Sequence, residues 1–334
     1  MPDMMDRTTS TTVAEPRPPA HSRQRVRPQR NHTGLMVLTM LLSFIAAITS
    51  SGICYFYWLS LQPVEEAPIV APIPEEEVID PVEYISFGNY QLPINPDLAV
   101  NTYDQDGFIV GDDGIISYGD ARLGIDVSSH QGDIDWQAVA DDGVSFAIIR
   151  LGFRGYGEEG VMILDSHFHQ NMVDAQAAGI DVGVYFFSQA TSVWETLEEA
   201  YFVLEHLDGY ELQLPVVFDW EFIDNSSIAR TNGTTGQCIT LYNQVFNEQM
   251  QKAGYDTMIY FNQSLAYLYM ELDLLADNPF WLASYRNNPT YYYDFQIWQY
   301  SDKGAIDGIE GYVDLNLMLV DLTAEEEPLQ AATE

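Results

Sequence analysis

Residues 177–187 read AAGIDVGVYFF, and they hold a helix end, a glycine stop and a buried strand in succession. Ala177 and Ala178 close a helical pattern, and Gly179 suits the left-handed conformation that terminates a helix. The run from Ile180 to Phe187 is apolar, partly β-branched and aromatic, and of strand length. The same order recurs in DDGVSFAII (141–149) and KAGYDTMIYF (252–261), with Gly143 and Gly254 as the stops. Helix and strand in alternation argue for parallel pairing. Further out, strand-like runs lie at 123–129, 145–153, 181–188, 214–222, 257–263, 280–285, 294–301 and 312–319. Helical patterns separate the first five. Ser192 followed by Glu195 is a capping box that opens a helix over 192–207. The last three strands lie too close together for helices between them. Eight strands with five helical links read as an incomplete α/β barrel.

Strand ends are where such a barrel does chemistry, because parallel strands converge on one mouth. The run LPVVFDWEF (214–222) ends in two acids. Alternation along a strand puts Asp219 and Glu221 on one face and Trp220 on the other. Two carboxyls that close repel, so one keeps its proton to higher pH, and an acid beside an anion is what glycosidic cleavage uses. An Asp-x-Glu pair can equally be a strand end whose acids cap the next loop. Asp126 lies between Ile125 and Val127 in a buried first strand, where an unpaired carboxyl is costly. It has either a chemical task or partners, such as Ser128, Ser129, His130 or the backbone. Asp314 sits among apolar neighbours in the last strand, YVDLNLML (312–319). Aromatic residues accompany these acids: Tyr185, Phe187, Tyr260, Trp281, Tyr285, Trp298 and Tyr300. Aromatic faces around carboxylates suit an oligosaccharide groove, although each ring taken alone is also an ordinary core residue.

Other chemistries fit poorly. His167 and His169 have no third ligand at zinc spacing, so no metal is expected. Gly152, Gly155 and Gly157 are not followed by the Lys-Ser or Lys-Thr of a phosphate loop, and no cofactor is implied. Cys54 falls in an apolar run, which leaves Cys238 without a partner for a structural disulfide.

Together, GIDVSSHQGDIDW (124–136), AIIRLGFRGYG (147–157), AAGIDVGVYFFS (177–188), VVFDWEF (216–222), WLASY (281–285) and IWQYSDKGAIDGIEGYVDLNL (297–317) resemble glycoside hydrolase family 25, the Chalaropsis-type lysozymes. The resemblance spans about residues 122–323. It implies an irregular, flattened (β/α) barrel that cleaves the β-1,4 bond between N-acetylmuramic acid and N-acetylglucosamine. By the same resemblance Glu221 is the general acid, and Asp219 orients the substrate's acetamido group as nucleophile. Asp126 and Asp314 match the family's other two acids, and Tyr185 and Gln299 fall where its sugar sites are lined. Tyr260, Trp281 and Tyr285 are expected to bind substrate beside them. The implied partner is the peptidoglycan glycan strand, bound by a monomeric domain. A chitinase-like barrel of family 18 is disfavoured, because Val217 and Leu214 stand where its signature needs aspartates. The reading from another class is a non-catalytic glycan-binding or scaffold protein on the same fold.

Outside the barrel the composition shifts. The formal net charge is -37, yet six of the 13 basic residues lie before position 31. Nucleic acid is excluded as a partner, since phosphate binding needs clustered Lys and Arg. Residues 1–33 read as a disordered basic tail, and 35–61, LMVLTMLLSFIAAITSSGICYFYWLSL, carry no charge. A bilayer needs about 20 apolar residues. Tyr55, Tyr57 and Trp58 cluster near the run's far end, as interfacial aromatics do, and the arginines before it hold the N-terminus in the cytoplasm. A cleaved signal peptide fits less well, because the apolar run continues past Thr49, Ser50, Ser51 and Gly52. Residues 62–83 repeat Pro and Glu and read as a semi-rigid stalk. Residues 84–121 carry turn signals without a clear assignment, and 324–334 read as an acidic tail. The expected location is therefore the cell membrane, single-pass, with the barrel outside. Protease added to intact cells is then expected to release the barrel by cutting the Pro-Glu stalk. A barrel secreted into the medium with its N-terminus near residue 50 would mean a cleaved signal instead.

Overall fold

The computed structural model describes residues 83–320 and Leu322, apart from residue 208 and residues 224–226. The basic tail, the expected anchor at 35–61, nearly all of the stalk and the acidic tail lie outside the described residues. Among the described residues no helix is long and apolar enough to cross a membrane.

The stretch 84–121 forms two short antiparallel hairpins. The first pairs β1 (Tyr84–Phe87) with β2 (Tyr90–Pro93), and the second pairs β3 (Ile109–Val110) with β4 (Ile116–Ser117). The barrel follows: β5 (Arg122–Val127), β6 (Phe146–Arg154), β7 (Met162–Leu164), β8 (Asp181–Ser188) and β9 (Val216–Trp220). It continues with β10 (Thr257–Asn262), β11 (Phe280–Ala283), β12 (Ile297–Gly304) and β13 (Val313–Met318). Five helices accompany them among the described residues: α1 (Trp136–Asp141), α2 (Phe168–Ala177), α3 (Val193–Leu207), α4 (Gly236–Lys252) and α5 (Gln263–Leu268).

Neighbouring strands run β5-β13-β12-β11-β10-β9-β8-β6, and β5 pairs with β6 to close the ring. The eight strands are those expected from the sequence. Strand β7 is an addition, paired antiparallel to β6 outside the ring. Every pairing from β5 through β6, β8, β9, β10 and β11 to β12 is parallel, while β13 is antiparallel to both β12 and β5. The reason is the link. Residues 305–312 hold no crossover helix, and a chain that turns back so soon returns antiparallel. An acid early in β13 therefore reaches the same mouth as acids late in β5 and β9.

Alternation divides the core in two. Phe146, Ile148, Val217, Met258, Ile297 and Met318 plug the barrel interior. Outward-facing residues such as Phe218, Trp220, Phe261 and Leu282 pack beneath the helices. Strands β12 and β13 have no crossover helix of their own, so the extension helps cover β12. Phe108 lies edge-on to Trp298, with ring centroids 5.4 Å apart, and Tyr103 donates to the Phe295 carbonyl at 2.6 Å. Tyr300 accepts from the Ile116 amide at 3.3 Å. Trp298 and Tyr300 thus face outward, away from the barrel mouth, because they alternate with Ile297 and Gln299.

The glycine stops form where the sequence places them. Gly143, Gly179 and Gly254 have φ of 101°, 80° and 92°. After each, the next amide (Val144, Ile180, Tyr255) bonds to the carbonyl five residues back, which satisfies a helix-end acceptor. A Cβ added at Gly254 would stand in open space, so alanine there meets only backbone strain. Gly254→Ala is expected to cost about 1–2 kcal/mol. In a domain of this size each kcal/mol lowers the melting midpoint by roughly 2–4 °C. Calorimetry of the variant checks this, and an unchanged midpoint would refute the strain.

Candidate active site

The barrel mouth holds a cavity of about 210 Å³. Strand β5 brings Asp126, β8 brings Tyr185 and Phe187, and β9 with its next residue brings Asp219 and Glu221. Tyr260, Trp281, Tyr285, Gln299 and Asp314 complete the wall with Arg150. All nine residues expected to form the site therefore line one cavity. Phe187 joins them, whereas Trp298 and Tyr300 do not.

Asp126 is buried, and its Oδ2 accepts two amide hydrogen bonds, from Gln299 Nε2 and Asn316 Nδ2, both 2.8 Å. Its partners are thus distant in sequence and are not the adjacent Ser128, Ser129 or His130; His130 is exposed. Gln299 Oε1 in turn accepts from the Tyr260 hydroxyl at 3.2 Å and the Tyr285 hydroxyl at 3.1 Å. Asn316 Oδ1 accepts from Trp281 Nε1 at 2.8 Å. Trp281 is nearly wholly buried and packs edge-on to Tyr260, while Tyr285 is 52% exposed at the rim.

Like charges and burial raise the acids together. Burial pushes Asp126 up to about 6, with the two amide bonds working against it. Asp314 is its register partner across the β5–β13 pair, and burial followed by the Asp126 charge pushes it up to about 8. Asp219 is raised well above the usual range by burial first, then by Glu221 and Asp126. Its Oδ1 is buried without a hydrogen-bond partner among the described residues. Buried polar atoms seldom remain unpaired, and this one faces a cavity from which a donor could reach it.

Three contributors escaped the sequence reading. Arg150 is the cation of the cavity and holds Asp219 down against its acidic neighbours. Asp165 fixes it, through contacts to Arg150 Nε at 2.8 Å and Nη2 at 2.7 Å. Burial would raise Asp165, but amide bonds from Ser129 and His167, together with Arg150, bring it below the usual range. The available signal was a charge inside the apolar run AIIRLGF. Asn316 was legible in the same way, as a polar residue two places after Asp314 on an apolar strand.

A second, larger cavity of about 780 Å³ adjoins the first, and Glu221 and Tyr285 line both. Glu221 is partly buried at their junction, and its main-chain carbonyl accepts from Gln189 Nε2 at 2.7 Å.

The sequence pattern of glycosyl hydrolases family 25 matches residues 125–309, more than half of the chain. The chain belongs to that family. It is a glycoside hydrolase. Lysozyme M1 of Streptomyces globisporus is 28% identical over 271 residues, 77% of this chain and 85% of its own. A family 25 glycosyl hydrolase from Bacillus anthracis superposes with a TM-score of 0.51 at 26% identity, covering 60% of this chain and 89% of that one. The modular autolysin LytC of Streptococcus pneumoniae, solved with a synthetic peptidoglycan ligand, gives a TM-score of 0.53 at 26% identity. That match covers 63% of this chain and 52% of the autolysin, so the hydrolase spans about half of its length.

The raised acids make the stability of this family 25 hydrolase depend on pH. Asp126 and Asp314 keep protons in the folded state that an ordinary aspartate, near 3.8, has released. Their stabilising contribution is complete below about pH 4 and is lost as pH rises through about 6 and then 8. Asp314→Asn removes one of the two. Its gain in melting midpoint over the wild type is expected to be larger at about pH 8.5 than at about pH 4. A gain that shrinks with rising pH would contradict the assignment.

Proposed function

We propose that the hydrolase cleaves the β-1,4 bond between N-acetylmuramic acid and N-acetylglucosamine in peptidoglycan, and that it does so from a membrane anchor at residues 35–61. The observation that carries the reading is the pairing of Glu221, at the junction of two cavities, with the buried, unpartnered Oδ1 of Asp219. A strand threaded through both cavities places its linkage beside Glu221. The lysozyme activity of the Streptomyces relative supports the substrate. The uncharged run and the arginines before it support the anchor.

In this reading the inner cavity holds the sugar whose acetamido N–H donates to Asp219 Oδ1. Glu221 gives its proton to the glycosidic oxygen as the C1–O bond breaks. The acetamido oxygen attacks C1 from the opposite side, and positive charge develops on the amide nitrogen. A high proton affinity suits Asp219 to take that N–H proton. Water then opens the oxazoline, with the Glu221 carboxylate accepting the water's proton and Asp219 returning its proton to the amide nitrogen. Arg150 keeps the surrounding acids from all being neutral at once, and the Gln299–Asp126–Asn316 bonds hold the cavity wall in place. This is one of the substrate-assisted departures from the two-carboxylate scheme.

Glu221→Gln keeps the volume but has no proton to give. General acid terms are worth roughly 10²–10⁴ in rate. Turnover of purified peptidoglycan by the full-length variant is expected to fall by that factor, with an unchanged melting midpoint and retained strand binding. Activity above about a tenth of wild type would remove Glu221 from the acid role. A wild type that binds strands without cutting them would favour a glycan-binding protein.

A further inference from the structure

The groove of about 780 Å³ outside Glu221 includes one residue from ahead of the family match. Phe87, at the end of β1, reaches it from the first hairpin, and that hairpin lies ahead of the matched residues 125–309. Phe87 is half-buried, with its ring 5.0 Å from that of Tyr267. Asn262 and Gln263, at the start of α5, supply amides to the same groove, and Arg286 closes it beyond Tyr285.

Arg286 differs from the other cations. Among the described residues there are seven Lys and Arg side chains, and six are ion-paired with carboxylates. Arg286 is exposed and makes no ion pair among the described residues, in a protein of net charge -37. Its guanidinium is therefore available to an outside anion, in a fork geometry suited to carboxylate.

We propose that this groove is a subsite for the leaving-group side of the strand, in which Arg286 recognises a substrate carboxylate and Phe87 packs on a sugar face. The proposal rests on the muramidase reading, which places the acetamido sugar in the inner cavity and so the leaving sugar in the groove. The leaving sugar is N-acetylglucosamine, so the carboxylate comes from the muramic residue that follows it, either as a bare lactyl group or from the peptide that caps that group. A cation that meets anions only at this point would let an acidic domain select charged strands over neutral ones. Binding shared equally by ground and transition states changes KM and leaves kcat alone.

The test uses the full-length chain on three forms of one glycan strand. The first carries its peptides, the second has them removed to bare the lactyl carboxylates, and the third has those carboxylates converted to neutral methylamides. Arg286→Ala is expected to raise KM roughly tenfold on carboxylate-bearing strands, the scale of one charge-assisted hydrogen bond. Neither kcat nor KM on the neutral strand should change. A rise on the first form only assigns the peptide, a rise on the second only assigns the lactyl group, and a rise on both means that either carboxylate serves. Phe87→Ala is expected to raise KM on all three. An Arg286→Ala defect equal on all three strands, or absent from all, overturns the carboxylate site. If the wild type cuts none of them, the muramidase reading fails separately, and sedimentation binding to the same strands still reads the Arg286 preference.

Discussion

Asp126 Oδ2 receives two side-chain amides, from Gln299 on β12 and Asn316 on β13. These bonds tie together β5, β12 and β13, the strands at which the parallel ring is closed by one antiparallel member. A carboxyl buried at that seam would be costly without partners, whether charged or neutral. The two amides lower the cost, and their own second atoms are engaged by Trp281, Tyr260 and Tyr285. The same network thus serves the barrel's closure and the shape of its mouth. Burial still wins over these bonds, since Asp126 remains above the ordinary aspartate range. Packing elsewhere in the barrel offsets that residual cost.

The missing helices at the end of the chain have a second consequence. A strand without a crossover helix exposes its outer face, and on β12 that face carries Trp298 and Tyr300. The segment before the barrel covers both, with Phe108 and Tyr118 stacked at 4.3 Å and Phe108 set against Trp298. The segment is bound by main-chain bonds as well, including Asn101 N to Tyr292 O at 2.8 Å. Its hairpin β1–β2 then reaches the groove beside Glu221. A covering that answers an exposed apolar face has in this way delivered a side chain to the site.

Much of this was legible in the sequence, for local reasons. Gly143, Gly179 and Gly254 announced helix ends because the left-handed conformation strongly favours glycine. Asp219, Glu221, Asp126 and Asp314 stood out as acids at the ends of apolar runs, and all four line one cavity. The direction of β13 was not legible from its own residues, because alternation is the same in either sense. It follows from the short link 305–312. The partners of Asp126 were missed because Gln299 and Asn316 are 173 and 190 residues away, and only the closed ring brings them near. Trp298 looked like a groove residue from its neighbourhood, and its parity with Gln299 decides otherwise.

Asp219 and Glu221 are two residues apart on one face, so their chemical difference comes from depth. Strand β9 ends at Trp220, whose indole donates to the Ala190 carbonyl at 2.9 Å and pins the strand end. Asp219 lies inside that pin, buried among other acids, which raises its affinity for a proton. Glu221 lies just beyond it, where the inner cavity opens into the larger groove. In the proposed mechanism the proton donor must meet the bond it breaks, and that bond joins two sugars that need separate rooms. The residue immediately past the strand's last buried turn is the one that borders both. One carboxyl kept deep and one at the threshold follow from a strand of five residues that stops at a tryptophan.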